Sequence, residues 1–467
     1  MSKVVLPRAR LHLEPTTDRR SVFTDVLRPV MVLLLASLLV FSFDVVVAKP
    51  GFVLPNTFPL LLGLAAIGLA FTLPAQRPVM LPLSAWAVLL MEAMSVLWSH
   101  DEPATMLWVR TYFVVALGMC ALAVVLPRRD VEAALRLFVY LGLGITLLAV
   151  ATDPMARIHI DPTGMNAPLP GWHGWFIHKN VMTRFLVVAV CIELFLDRRR
   201  LTKFGAFGAI AFLFAVSAST TGLMAVMVVI GVAGWLAING RLEGRSSVAF
   251  AISSVALGLV ASIAVAASLS AIADAAGKDL TFTGRTKIWS AVWHAILRDP
   301  FVGVGVGGLF AVPRTPETMQ VLRDIGFVAG HSHNGFIDLT SQLGFVGLLL
   351  ALAMLLSAFR LARSLADTSP TYSRFLFCLL TGLLVMSVGE SVLLGSTVPL
   401  FAVVLTVLLR ERGPSGSARN VRVRHSRSGP SRTNPADRRG AVRSGGGATS
   451  TPTRRTPTVS APGTGRR

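Results

Sequence analysis

Residues 31–41 read MVLLLASLLVF, an unbroken apolar run in which Ser37 is the one polar side chain. Similar runs recur far along the chain, as FLFCLLTGLLVM at 375–386 and LFAVVLTVLL at 400–409. A globular core would bury one or two such segments, but here they follow one another from end to end. The whole chain of 467 residues is 53% hydrophobic and 15% charged, with a mean hydropathy of +0.65. A soluble protein carries roughly 25% charged residues. The solvent that suits this composition is lipid, and a soluble enzyme or binding module is excluded.

A helix needs about 20 mostly apolar residues to cross the hydrocarbon with its backbone satisfied internally. Apolar runs between polar breaks predict spans near 28–47, 57–74, 79–98, 105–126, 132–151, 181–196, 202–217, 220–238, 247–272, 334–359, 372–389 and 391–410. The expectation is an all-α polytopic membrane protein of about 12 transmembrane helices, with a large external loop between spans 9 and 10. The segments around 202–238 are short enough to be re-entrant or tilted.

Positive charge gives an orientation, because Lys and Arg concentrate in cytoplasmic connections. With the N-terminus inside, those connections hold Arg77, Arg128, Arg129, Arg198–Arg200, Lys203, Arg241, Arg245, Arg360, Arg363 and Arg374. The opposite connections near 48–56, 99–104, 218–219 and 390 carry almost no positive charge beyond Lys49. Both termini are therefore expected in the cytoplasm, with 1–27 as an N-terminal segment too polar for a signal peptide. From 411 to 467 there are thirteen arginines against Glu411 and Asp437, so +11 of the +20 formal charge lies in that tail. Rich in Ser, Gly, Pro and Thr, it reads as a disordered basic cytoplasmic extension, or as one that meets anionic lipid headgroups. No nucleic acid partner is expected. Cys120, Cys191 and Cys378 all lie inside apolar runs, so no disulfide framework arises.

Two external segments break the charge pattern. Loop 152–180 holds Arg157, His159, His173, His178 and Lys179, and loop 273–333 holds Lys278, Arg285, Lys287, Arg298, Arg314, Arg323, His331 and His333. Long loops cross regardless of charge, but cations clustered outside also suit an anionic ligand. Residues 285–299 place Ile288, Trp289, Val292, Trp293, Ile296 and Leu297 on one stripe at helical spacing. An amphipathic helix with two Trp on its apolar side fits the membrane–water boundary. It would hold Arg285 at headgroup depth, where a guanidinium fork suits a lipid-linked phosphate.

Next comes Gly303-Val304-Gly305-Val306-Gly307-Gly308, a turn permitting close backbone approach and lacking the βαβ context of a nucleotide fingerprint. The loop closes on His331-Ser332-His333-Asn334, where a His has a pKa suited to general-base work; an interfacial, hydrogen-bonded His is the plainer alternative. No third ligand stands at a recognisable spacing, so no metal is expected. Glu92, Asp338 and Glu390 are ionisable residues in or beside spans and hence functional candidates. Asp338 lies one turn after Asn334 and can orient the His333 region, whereas Glu390 near an outer end can simply reach water. Trp172 and Trp175 suit either sugar stacking or interfacial anchoring.

Gly284-Arg285-Thr286-Lys287-Ile288-Trp289, Asp299-Pro300-Phe301-Val302-Gly303-Val304-Gly305, and His333-Asn334 followed by Ile337 and Gly344 resemble the signature region of the O-antigen ligase and Wzy-type polysaccharide polymerase superfamily. Gly174-Trp175-Phe176-Ile177-His178-Lys179-Asn180 is similar to a segment of its exopolysaccharide-polymerase branch. The resemblance implies a glycosyltransferase that needs no metal or other cofactor. Such an enzyme moves a glycan from an undecaprenyl-diphosphate carrier to an acceptor sugar on the outer face of the cytoplasmic membrane. By position, His333 would be the base and Arg285 the diphosphate clamp. His178, Lys179, Asn180, Arg184, His331, Asn334 and Asp338 are the accompanying candidates for substrate binding. Ligases of the superfamily commonly carry a second Arg where this chain reads Ser217-Ala218-Ser219-Thr220-Thr221-Gly222, so polymerase is favoured over ligase; Lys179 or Arg184 is the candidate substitute. Two rival classes remain: a transporter of lipid-linked sugars, which would show inverted repeats and broken midplane helices, and a structural membrane protein.

Overall fold

In a computed structural model, the described residues are 19–43, 48–49, 52–53, 57–73, 81–158, 171–196, 200–250, 252–254, 284–310, 314–393 and 405. They form an all-α polytopic membrane protein. Among them the sheet is a two-residue antiparallel ladder pairing Ala48 with Val53 and Lys49 with Phe52. The helices are α1 Arg19–Phe41, α2 Phe58–Phe71, α3 Leu83–Met94, α4 Glu102–Val125, α5 Arg128–Thr152, α6 Lys179–Phe195, α7 Arg200–Ser217 and α8 Thr220–Asn239. They continue with α9 Arg285–Ile296, α10 Pro316–Ile325, α11 Gly335–Ser364 and α12 Pro370–Gly389.

Helices α4, α5, α7, α8, α11 and α12 are long and apolar enough to cross a bilayer. Ten of the expected spans coincide with described helices; most of 247–272 and of 391–410 lies outside the described residues, as does the basic tail. α1 begins at Arg19, well inside the segment expected to precede the first span. The short segments around 202–238 are regular helices, α7 and α8, joined by a tight corner. There Ala218 takes a left-handed φ of 48° and the Ser219 side chain caps α8 by accepting the Gly222 N–H.

α6 and α12 form the centre of the bundle. α12 packs on α6, α8 and α11, and every residue of α6 from Asn180 to Glu193 is buried. α6 contains only 17 residues, so its apolar surface is covered by neighbouring helices. Phe138, Phe176 and Phe185 pack ring to ring there.

α11 is broken at Gly344, whose φ is 64°. An added Cβ would lie 2.1 Å from the Phe301 carbonyl carbon, so only glycine fits. A broken helix frees backbone groups that lipid cannot satisfy, and the Gly-rich turn satisfies them. Val304 and Gly305 N–H donate to the Ser341 and Gln342 carbonyls, while Phe345 and Val346 N–H donate to those of Pro300 and Phe301. The sequence expectation of close backbone approach is met at Gly303, where an added Cβ would fall 2.5 Å from the Gln342 carbonyl carbon.

The apolar stripe of α9 is divided between a buried part and an exposed part. Ile288, Val292 and Ile296 join Val304, Leu309, Val321, Leu322 and Ile325 in a small core between α9, the Gly-rich turn and α10. These three positions of the stripe are buried in protein, whereas Leu297 at its end is 56% exposed. Trp289 donates its indole N–H to the Ser332 carbonyl at 3.0 Å. Trp293 remains 45% exposed.

Candidate active site

Four chain segments meet at the end of α12. The helix stops at Gly389, and Glu390 follows in extended conformation. An added Cβ on Gly389 would come within 3.1 Å of Arg285 Nη1, so the absent side chain is what admits the guanidinium. Arg285 Nη2 donates to Glu390 Oε1 at 2.9 Å. Asn180 Nδ2, from the first turn of α6, donates to the same oxygen. His333 Nδ1 stands 3.5 Å from Glu390 Oε2, an ion-pair distance. Glu390 is 6% exposed, which overturns the expectation that it simply reaches water.

The helix dipole explains part of this design. α9 opens with Arg285 and Lys287 and has no acidic residue in its first turn. Cations at a helix N-terminus face the positive end of the macrodipole, so this start calls for an anion from elsewhere. Glu390 supplies one. Burial by itself would raise the Glu390 carboxyl, but adjacent His333, with His331 and the Arg285 guanidinium nearby, holds it at about 2.

His333 is held in a conformation that L-residues seldom adopt, with a φ of 51°, at a cost of about 1–2 kcal/mol. Several contacts fix it. Its N–H donates to His331 Nδ1 at 3.1 Å, and the two imidazole rings lie 3.9 Å apart. Ser332 is clamped by Asp338, whose Oδ1 accepts from the Ser332 hydroxyl at 2.9 Å and from its N–H at 3.3 Å. Gln342 donates to the other Asp338 oxygen at 3.2 Å and accepts from the Gly307 N–H at 2.6 Å. The break in α11, the Gly-rich turn and the His loop are thus one hydrogen-bonded unit. Burial, with His333 close by, pushes His331 well below the usual histidine range.

Of the residues singled out from sequence, the structure brings Arg285, His333 and Asn180 onto Glu390, with His331 against His333. His178 and Arg184 lie close enough to His331 to act on its charge; Arg184 is 5% exposed, one turn below Asn180. His178 and Asn334 also serve as helix caps: His178 Nδ1 accepts the Asn180 N–H, and Asn334 Oδ1 accepts those of Phe336 and Ile337. Asp338 acts through Ser332. Lys179 follows a different path, its stem lying beside Gly171. Glu92 belongs to α3 and is not among the partners of Glu390 described above. Trp172 packs its ring edge-on against Phe212, and its backbone N–H donates to the Val216 carbonyl.

Sequence reading missed Ser219 and the central role of Glu390. Ser219 donates to Asn180 Oδ1 at 2.8 Å and accepts from Thr183 at 3.2 Å, and so fixes the amide that meets Glu390. A Ser before a helix is a capping signal, but nothing local in the sequence pairs it with Asn180.

His331, His333 and Glu390 each offer a ligand atom within 4.8 Å of one another, so Glu390 is the third group that sequence spacing did not provide. Two facts weigh against a cation there. Glu390 Oε1 is already engaged by Arg285 and Asn180, and His331 Nδ1 takes the His333 N–H.

Comparison with known proteins bears on the same region. Residues 205–352 match the O-antigen ligase family model, a stretch that runs from α7 into α11 and includes Arg285, the Gly-rich turn and His333. Over that stretch the chain is similar to the O-antigen ligase family. It is also 33% identical over 177 residues to the exopolysaccharide production protein ExoQ of Rhizobium meliloti (strain 1021). That alignment covers 36% of this chain, and the chain spans about two fifths of the relative's length, 40%. The family match ends before Glu390, so the carboxylate enters the site on structural grounds alone.

Proposed function

We propose that this protein is a membrane glycosyltransferase of exopolysaccharide production, which polymerises or transfers a glycan carried on undecaprenyl diphosphate. It acts on the outer face of the cytoplasmic membrane, with both termini in the cytoplasm, as the Lys and Arg distribution indicates. The convergence of Arg285 and His333 on buried Glu390 carries the reading. A base and a guanidinium held together at one end of a bundle suit attack on a sugar linked to diphosphate.

In this reading Glu390 favours the His333 tautomer with its proton on Nδ1, leaving Nε2 to take the proton of the acceptor hydroxyl. The hydroxyl oxygen bonds to the anomeric carbon, the bond from that carbon to the phosphate oxygen breaks, and its electron pair leaves with the diphosphate. Arg285 steadies that developing charge. A guanidinium has five N–H donors, so the donor spent on Glu390 leaves others for phosphate. Glu390 then balances the imidazolium. Asn180, Arg184 and His178 line the same end of the bundle and are assigned to donor binding. Arg184 is the better substitute for the missing second Arg, because Lys179 turns toward Gly171. The reaction is metal-independent, the cationic role being taken by arginine.

The test is reconstitution with lipid-linked repeat units and analysis of the product. Longer glycan on the carrier supports polymerisation, and glycan on a separate lipid or protein identifies a ligase. Unchanged donor moved across the bilayer would overturn the enzyme reading in favour of a transporter. Similarity to an exopolysaccharide production protein favours the first outcome.

A further inference from the structure

The peptide linking Ser332 to His333 is gripped from opposite sides by groups of opposite hydrogen-bonding character. Its carbonyl accepts the Trp289 indole N–H at 3.0 Å, and its N–H donates to His331 Nδ1 at 3.1 Å. The orientation of this peptide sets the φ of His333, which stands at 51° in the left-handed region. A residue held there relaxes most directly when that peptide turns over, carrying φ back to the favoured negative side.

Turning over exchanges the places of the carbonyl and the N–H. The carbonyl would then face His331, whose imidazole can change tautomer and donate where it had accepted. The N–H would face the indole, which can only donate. Trp289 is therefore the member of the pair that selects one orientation. Ser332 is fully buried, and a buried carbonyl that loses its donor is costly to leave unpaired. Asp338 already takes the N–H and the hydroxyl of Ser332, so the indole completes the grip on this residue.

Trp289 stands four residues after Arg285 on α9, one turn along the same face. Its ring packs against the small core of Ile288, Val292 and Leu322, which fixes the direction of its N–H. One helix thus presents the guanidinium to Glu390 and the indole to the backbone of the base, while Glu390 meets the imidazole of that same base.

We propose that Trp289 is a positioning residue for His333: its indole N–H holds the Ser332–His333 peptide in the orientation that keeps the imidazole against Glu390. This rests on the glycosyltransferase reading above and adds the group that keeps the base in strained backbone.

Two substitutions remove the donor. Trp289→Phe keeps an aromatic ring in the small core, and 3-benzothienylalanine at position 289 keeps the bicyclic shape while sulfur replaces the N–H. Trp293→Phe, on the same helix with its ring edge-on to Phe345, is the control. With lipid-linked repeat units as donor, kcat should fall roughly tenfold or more in both Trp289 variants, a part of what a lost base costs. KM for the donor should stay within about twofold, because Arg285 keeps its place on Glu390. The control should match wild type. A readout independent of activity is the structure of the benzothienyl variant in lipid nanodiscs, where the peptide should have turned over and the φ of His333 become negative. An unchanged kcat in the benzothienyl variant, a raised KM with kcat intact, or a lowered kcat with the peptide unturned each overturns the positioning role and leaves the enzyme reading intact. If wild type transfers no glycan yet the benzothienyl variant turns the peptide over, the hold on the backbone stands and the glycosyltransferase reading fails.

Discussion

The two ends of α12 carry two charged clusters of opposite character. At its start, the Tyr372 hydroxyl donates to Glu132 of α5, and the Arg128 guanidinium lies 3.7 Å above the Tyr372 ring. Arg128 and Arg136 flank Glu132 at i,i+4 spacing, 3.2 and 3.9 Å away, and Arg28 reaches Asp130 at 4.0 Å. At the other end, about 27 Å along the helix, Glu390 gathers Arg285, Asn180 and His333 from three remote segments. The first cluster is largely local to α5, partly open to solvent and made on regular helix. The second is assembled across the chain, its acid is buried, and one member sits in strained left-handed backbone. The first fastens α5 to α12. The second spends stability to hold groups in place, as sites do.

The sharpest way to break the contrast is to remove the groups assigned to chemistry. His333→Ala and Arg285→Ala should each lower glycan transfer at least a hundredfold, the scale of a lost base or a lost oxyanion donor. Membrane insertion and thermal stability in detergent should stay near wild type. Turnover by either variant within threefold of wild type, at equal membrane abundance, would remove that residue from the mechanism.

Glu390→Gln tests the hub. The amide can still accept from Arg285 and Asn180, but it no longer neutralises the cation at the start of α9 or sets the His333 tautomer. Activity should fall about ten- to hundredfold, with Glu390→Asp partly restoring it. A merely structural Glu390 would show equal loss of thermal stability in both variants and no difference in kcat.

Glu132→Gln, at the opposite end, should invert that outcome. Removing a partly exposed acid with two flanking arginines is expected to cost about 1 kcal/mol, seen as a few degrees in thermal melting, with kcat unchanged. A drop in kcat matching that of Glu390→Gln would erase the distinction between the two clusters.

The contrast also marks what sequence can and cannot disclose. The α5 cluster is legible: Arg128, Glu132 and Arg136 stand one helical turn apart. Helices such as α4, α8 and α12 announce themselves by run length alone, and the Gly-rich turn by its composition. The Glu390 hub has no such signature, since its partners lie 105 and 210 positions away. Pairings at that range arise from packing, here from α12 settling against α6. The stripe on α9 was legible only in part, for a related reason. Helical periodicity shows that a face is apolar, but not that α10 and the Gly-rich turn cover its Ile288, Val292 and Ile296. Ser219 carried no local sign of its bond to Asn180.

A smaller effect distinguishes the His loop from the rest of the bundle. His331 is held neutral by burial, with His333 close by, and its folded pKa lies well below the ordinary value. In the unfolded chain it takes a proton near pH 6.5. Below that pH the unfolded state therefore binds the extra proton and the folded state does not, so stability falls as pH falls, until the folded pKa is reached. Glu390 adds to the same slope only at lower pH, because a carboxyl held at about 2 keeps its stabilising charge until the pH drops below the ordinary carboxylate range. Melting temperature measured from pH 7.5 to 5.5 should thus decline in wild type and flatten in His331→Asn, whose side chain does not titrate there. His331→Asn can lower the melting temperature at pH 7.5, because a new amide must replace the acceptor for the His333 N–H, but the slope is the informative quantity. A slope unchanged by the substitution would mean that protons enter elsewhere, and that the loop before α11 is held by Asp338 and Ser332 without help from a neutral His331.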